Sequence, residues 1–286
     1  MLKSAGLVVN LAKRDAISLA RDIIGVLEAE GLDILLEESL AKELGRDELS
    51  RPVSGMTVDL LIVMGGDGTV LRTCLSLPER SDPLILAINM GGRGFLADVE
   101  PHEALEALKA CLSGDAQVEE RMRLSVEADG RKLPYALNEL CLTSGVPVKL
   151  FEAYVRREGE PIAYVEGDGL IIATPRGSTA YSLSCGGPVV DPELKCVLMT
   201  PICPIRPRWS LVFPPDIEVE IEVVRAREPV AVIDGQAIFE LSLGSIVRAR
   251  ASERPLRFAK LKNRFYEKLV SRGKWSSWMR GGKRKP

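Results

Sequence analysis

The chain has 286 residues, 46% hydrophobic and 27% charged, with a formal net charge of −2. That is enough for two domains of ordinary size with buried cores, and the balanced charge argues against a protein built to coat nucleic acid or an anionic membrane. No run of about 18 apolar residues occurs, so no membrane span is expected. In chain order, GLVVN (6–10) reads as a short buried strand. Lys13 to Gly31 carries Ile17, Ala20, Ile24 and Leu27 at helical spacing, and Gly31 closes it. LDILLEE (32–38) reads as strand, SLAKELG (39–45) as a short helix and DLLIVM (59–64) as a strand ending in glycines. TVLRTCLSL (69–77) is helical, PLILAIN (83–89) a buried strand and 101–113 a helix. Strands alternating with helices predict an open, mainly parallel α/β domain over residues 1–113.

After residue 114 the texture changes. Short strand-like runs are separated by DG, EG and PP turn signals, from QVEERMRLSVEADG through KLFEAYVRREGEPIAYVEGDGLIIATPRG to EVEIEVVR, PVAVIDGQ and SIVRARAS. Helix signals nearly vanish, apart from a short one at 178–185. Residues 114–256 therefore read as an all-β, sandwich-like domain. NRFYEKLVSRG (263–273) is helical again, so a C-terminal helical stretch within 257–286 is expected to pack back on the first domain. The tail holds Lys274, Arg280, Lys283, Arg284 and Lys285 and reads as a solvated basic end.

The N-terminus MLKSAGLVVNLAKRD lacks the long apolar core of a secretory signal, so a cytoplasmic location is expected. The six cysteines form no C-x-x-C pair and the chain has one histidine, so no zinc site is expected. His102 sits at a helix start, which leaves a carboxylate as the candidate general base if the chain is an enzyme.

Three segments carry chemistry. In IVMGGDGTVLR (62–72) a buried strand runs into glycines and straight into a helix. Backbone N–H groups at such a helix start favour an anion, and glycines let phosphate approach closely. Gly65, Gly66, Gly68 and Thr69 are the candidate phosphate loop. Asp67 would repel phosphate, so its expected task is to take a proton from a hydroxyl nucleophile or to help hold Mg²⁺. The bland alternative is a tight turn with an acidic helix start. Neither G-x-x-x-x-G-K-[ST] nor G-x-G-x-x-G occurs. In GDGLIIATPRGSTAYSLSCGGPVV (167–190) an apolar strand meets Pro175 and Gly177, then a helix expected to be capped by Ser178 and stopped by Gly186-Gly187-Pro188. Ser178, Thr179, Tyr181, Ser182 and Ser184 crowd hydroxyls there, as a nucleoside pocket would. The last segment is Asn138-Glu139, a polar pair in an apolar strand, costly to bury unless it binds something. An edge-strand pair facing water is the alternative.

These segments resemble the NAD kinase family. The resemblance rests on GGDGT at 65–69, NMGGRGFLAD at 89–98, NE at 138–139, DGLIIATPRGSTAYSLSCGGPVV at 168–190, TPICP at 200–204 and DGQ at 234–236. GGDGT alone is shared with lipid kinases and, loosely, with phosphofructokinases. The resemblance implies a donor-phosphate domain and an NAD-binding β-sandwich with a cleft between them, and a homo-oligomer, dimer or tetramer. It implies transfer of a phosphoryl group from ATP or polyphosphate, with Mg²⁺, to the 2′-hydroxyl of the adenosine ribose of NAD. Asp67 would engage that hydroxyl, Gly68 would border the phosphates and Arg72 would lie near the NAD phosphates. Asn138 and Glu139 would bind the adenosine half. Thr179, Ala180, Tyr181, Ser182, Leu183 and Ser184 would line the adenine pocket. Asp168 would contact the nicotinamide half, across a subunit interface, and Lys149, Cys203 and Gln236 would border NAD. Ile205 stands where many members carry histidine, and Arg93 where leucine is common; both point to the archaeal branch. A lipid or other small-hydroxyl kinase, a non-catalytic NAD(H) sensor and an NADP phosphatase remain open from the residues alone.

Overall fold

A computed structural model describes residues 2–13, 15–91, 94–206 and 209–272. Arg93, the basic residues Lys274 to Lys285 and any continuation of the last helix lie outside the described residues. The chain divides into two compact units, residues 1–120 with 256–286, and residues 121–255.

The first unit begins with β1 (Ser4–Val9), α1 (Ala16–Ala29), β2 (Asp33–Leu36), α2 (Glu38–Leu44), β3 (Leu60–Gly65), α3 (Asp67–Ser76), β4 (Leu84–Asn89), α4 (Ala104–Ser113) and β5 (Gln117–Arg121). The second unit holds β6 (Leu124–Ala128), β7 (Arg131–Lys132), β8 (Glu139–Ser144), β9 (Phe151–Arg157), β10 (Glu160–Gly167), β11 (Gly169–Ala173) and α5 (Tyr181–Ser184). It continues through β12 (Val197–Ile202), β13 (Leu211–Phe213), β14 (Val219–Arg225), β15 (Pro229–Ile233), β16 (Ala237–Glu240) and β17 (Ile246–Ala251). The chain then returns to the first unit with β18 (Leu256–Lys260) and α6 (Phe265–Arg272).

The first sheet has the order β2-β1-β3-β4-β18-β5. The pairs β1–β2, β1–β3, β3–β4 and β4–β18 are all parallel, as the strand–helix alternation predicts. The registers Leu7↔Ile62 and Ile62↔Leu86 line up one apolar face, which joins Ile23, Ile24 and Leu27 of α1 and Leu108 of α4 in one core. The alternate residues Val8, Leu61, Val63 and Ala87 are buried as well, so both faces are covered.

Two elements differ from the sequence reading. Gln117–Arg121, placed there in the β-rich half, forms an edge of the first sheet. Leu256–Lys260, of which residues 257–260 are placed there in a C-terminal helical stretch, is a strand beside β4, with Arg257 opposite Leu84. Gln117–Arg121 reads locally as strand but carries no mark of which sheet it joins, and Leu256–Lys260 has no strong local strand signal. Pairing with an existing parallel sheet decides both, and Leu256, Phe258 and Ala259 are buried as a result.

The second unit is two six-stranded antiparallel sheets, ordered β10-β9-β14-β17-β6-β7 and β13-β12-β11-β8-β15-β16. In the first of these, β6, β9 and β14 alternate buried and half-exposed positions, as a one-sided sheet should. In the other, β11 and β12 are buried at every position. One face of that sheet packs Cys141, Ile171, Ala173 and Leu198 against Val190 and Cys185 of the segment that follows β11. The expected helix at 178–185 is a 3₁₀ turn (Arg176–Thr179) followed by the single turn α5.

The fully buried Ile62 lies in the middle of the first sheet. Ile62→Ala should lower the unfolding free energy by about 2–5 kcal/mol in a denaturant titration. A loss under about 1 kcal/mol would mean that this core is not packed as described.

Candidate functional site

In the first unit, β3 ends at Gly65, and Gly66, in extended backbone, caps α3. Asp67 opens the helix, where a negative charge suits the N-terminal dipole. Its carboxylate accepts two backbone hydrogen bonds: Oδ2 from the Phe95 N–H at 2.8 Å and Oδ1 from the Leu96 N–H at 2.9 Å. Gly94 makes this seat possible, because a Cβ there would overlap Asp67 Oδ1 and lie 2.8 Å from its Cγ. A carboxylate has about four acceptor positions, so two bonds orient it and leave capacity for a hydroxyl.

The 94–98 segment is itself braced by α6. The Phe95 and Phe265 rings sit 5.8 Å apart, and Lys268 Nζ donates to the Ala97 carbonyl at 2.6 Å and to Asp98 at 2.8 Å. Arg264 pairs with Glu103 at 2.6 Å, tying α6 to the start of α4 as well. Thr69 is buried; its Oγ1 accepts from Asn10 Nδ2 at 3.5 Å, and its carbonyl takes the Thr73 hydroxyl at 2.8 Å. Gly68 is exposed on the first turn. Arg72 is exposed and lines a cavity of about 360 Å³, together with Val8, Glu37, Ser39, Val53 and Thr73.

In the second unit, Asn138 and Glu139 are buried at 6% and 7% exposure, which removes the water-facing alternative. Asn138 Oδ1 and Glu139 Oε2 have no hydrogen-bond partner. Buried polar atoms are almost always satisfied, so two orphans on adjacent residues make this a candidate place for a ligand to complete the bonding. Glu139 receives one bond from the Tyr181 N–H. Burial, reinforced by the nearby Asp234 charge, pushes its carboxyl up to about 8. At neutral pH it is therefore a protonated group able to donate a hydrogen bond.

The hydroxyl-rich run divides by role. Ser178 does not cap a helix; its hydroxyl accepts from the Val190 N–H at 3.1 Å. Ser182 and Thr200 share a buried hydrogen bond of 2.8 Å, and Thr179 Oγ1 donates to the Arg176 carbonyl at 3.1 Å. These hydroxyls bond within the protein and fold the segment onto the sheet, which accounts for much of their crowding. Tyr181, Leu183 and Ser184 are exposed, and Ala180 is partly so. Lys149, Asp168, Cys203 and Gln236 are all exposed, each in a turn or loop at a strand end. Cys203 has a left-handed backbone, φ 42°. Ile205, at the position where histidine is common in the family resembled, is exposed.

The sequence reading passed over Gly94, Thr174 and Asp234. Thr174 Oγ1 donates to the Leu137 carbonyl at 2.7 Å, and the Thr174 N–H donates to the Asn138 carbonyl at 2.8 Å. Gly177 packs so closely that a Cβ there would overlap the same Asn138 carbonyl oxygen. Asp234 had a visible signal in DGQ, but a D-G pair reads first as a turn.

Glu139 makes the ligand-free protein pH-sensitive. Its folded pKa of about 8 exceeds the ordinary 4.5, so the folded chain keeps a proton that the unfolded chain has released. Its stabilising contribution is full below about pH 4.5 and is lost as pH rises through about 8. Glu139→Gln should flatten the fall in unfolding midpoint over that window; equal slopes in both proteins would show that no protonated Glu139 is buried there.

Family models describing the N-terminal and C-terminal domains of ATP-NAD kinase match residues 5–116 and 137–261. An NAD kinase of Methanothermobacter thermautotrophicus is 37% identical over 267 residues, covering 92% of this chain and 94% of that protein. One from Thermococcus sibiricus is 36% identical over 273 residues, covering 93% and 96%. A crystal structure of an Archaeoglobus fulgidus NAD kinase in complex with ATP superposes with a TM-score of 0.75 at 29% identity, covering 94% of this chain and all of that one. Yeast NADH kinase complexed with NADH shares the fold, with a TM-score of 0.89 at 22% identity over 100% of this chain and 90% of that one. The chain belongs to the NAD kinase family.

Proposed function

We propose that this chain transfers a phosphoryl group from ATP to the 2′-hydroxyl of the adenosine ribose of NAD, giving NADP, with Asp67 as the general base. The observation that carries the mechanism is the seated Asp67 carboxylate at the start of α3. An aliphatic hydroxyl is a poor nucleophile at neutral pH. Asp67 accepts its proton as the new O–P bond forms and the bond to the leaving phosphate breaks. The amides at the start of α3, in the Gly65-Gly66-Asp67-Gly68-Thr69 loop, favour the donor phosphates through the helix dipole. Family membership and the A. fulgidus complex with ATP support ATP as donor. Polyphosphate would suit the same anion cradle.

Among the described residues no group of three or more His, Cys, Asp or Glu could hold a metal ion. Mg²⁺ keeps much of its water and commonly binds through one or two carboxylates plus substrate phosphates. We therefore infer that any Mg²⁺ arrives with the donor rather than in a protein cage, and that it would neutralise phosphate charge. Asn138 and Glu139 hold the adenosine half of NAD, beside a pocket wall formed by Thr179 to Ser184. Arg72, Lys149, Asp168, Cys203 and Gln236 are further contacts in this reading, and the active form is a homo-oligomer. Among the described residues no helix is long and apolar enough to cross a membrane.

A second reading, an NAD-binding sensor without turnover, is tested by the same experiment. Asp67→Asn should lower kcat for NADP formation by about 10²–10⁴-fold, as removal of a general base does. Near-normal turnover would remove Asp67 from that role, and a wild type that binds NAD without turnover would favour the sensor. Gly94→Ala should lower kcat by about 10²-fold, because the carboxylate must leave its seat. Unchanged kcat in Gly94→Ala would mean that the seat plays no part in the reaction.

A further inference from the structure

We propose that Asp234 is the positioning residue of the Asn138–Glu139 pair: its carboxylate, buried against three successive amides, fixes the backbone from which both unpartnered side chains meet the nucleotide. This rests on the reading of the chain as an NAD-binding kinase. Asp234 is 3% exposed and follows β15, just past the pairing of Ile233 with Leu140. There the side chain adds its own bonds to the backbone pairing. Oδ2 accepts the Leu137 N–H at 2.8 Å, and Oδ1 accepts the N–H groups of Asn138 at 2.8 Å and Glu139 at 3.0 Å. The Asp234 N–H returns to the Glu139 carbonyl at 2.9 Å. Asp234 adopts a left-handed backbone, φ 51°, a conformation that Asp tolerates better than most residues.

The opposite edge of the same three residues is held by Thr174, through the Leu137 and Asn138 carbonyls. Residues 137–139 are thus gripped on both sides, while Asn138 Oδ1 and Glu139 Oε2 are left open. A purely structural anchor would leave no adjacent pair of buried polar atoms unsatisfied, since each costs free energy without a ligand. Charge points the same way. Burial and the Asp234 carboxylate both favour the protonated form of Glu139, while the Tyr181 amide opposes it; the thiols of Cys141 and Cys185 are the other titratable groups coupled to it. Asp234 therefore both places Glu139 and adds to burial in favouring its protonated, hydrogen-bond-donating form.

The test compares wild type, Asp234→Asn, Glu139→Gln and the double variant by KM and kcat for NAD across pH, with NAD affinity measured by calorimetry. An Asn at 234 would set its own NH₂ against a backbone N–H. Asp234→Asn should raise KM and Kd for NAD by about 10–100-fold, with kcat changed less, as loss of charge-assisted hydrogen bonds implies. The pH at which NAD binding weakens should move downward in the variant, since one charge that favours protonated Glu139 is gone. A merely structural role would lower Tm without moving that pH. The double variant should lose no more affinity than the worse single variant. Additive losses, or an unchanged KM in folded Asp234→Asn, would overturn the proposal.

Should that variant not fold, the wild-type amide resonances of Leu137, Asn138 and Glu139 decide. They should titrate with the Asp234 carboxyl and shift on NAD saturation; failure of either overturns the assignment. A wild type that binds NAD with those shifts but makes no NADP would refute the proposed function and leave the positioning intact. Normal KM and turnover in Asp234→Asn would do the reverse.

Discussion

The first unit depends on one interaction, the Asp67 carboxylate resting on the amides of Phe95 and Leu96. It couples two neighbouring parallel strands: β3 delivers Asp67, and β4 leads into the segment that receives it. Their register is fixed along the whole pair, from Leu60↔Leu84 to Gly65↔Asn89. A one-residue slip would exchange every buried face. The α6 helix secures the other side of the seat, through the Phe95–Phe265 contact and the Lys268–Asp98 pair. The side chains of that pair are only 13% and 8% exposed, so the ion pair is shielded and breaking one partner would leave a buried charge. A C-terminal helix far from the glycine loop in sequence thereby contributes to the geometry of the Asp67 seat.

The second unit solves a different problem. It buries two adjacent polar side chains, just before and at the start of β8, and leaves both incompletely bonded. Burying such groups costs free energy. The surrounding backbone is correspondingly rigid, with Asp234 and Thr174 fastening three consecutive residues and Gly177 lying against the Asn138 carbonyl. A backbone held in this way suits recognition, because a ligand would not pay for ordering the residues it meets.

Much of this was legible in the sequence. The alternation of apolar strands with amphipathic helices announces the parallel sheet, and the strand–glycine–helix transition at 60–70 places Asp67 at a helix start. The turn signals after 114 announced the antiparallel half. Other features were hidden because they are tertiary. Leu256–Lys260 is a strand only because β4 offers it an edge, and Gln117–Arg121 joins the same sheet. The hydroxyls of Ser178 and Ser182 look like ligand contacts in a linear reading, yet they bond Val190 and Thr200, distant in sequence. Asp234 was masked by its own turn signal, and its role needs the 137–139 amides brought across from nearly a hundred residues away. Gly94 carries no local mark beyond its motif, because its significance is the space it leaves for Asp67.

The central claim is that this chain places a new phosphate on one hydroxyl of NAD. The most direct measurement is to incubate purified protein with NAD, ATP and Mg²⁺ and to locate the phosphate in the product by phosphorus and proton NMR. A single product is expected, phosphorylated at the 2′-oxygen of the adenosine ribose. A phosphate at the 3′-oxygen or on the nicotinamide ribose, or the absence of any transfer while NAD binds, would contradict it.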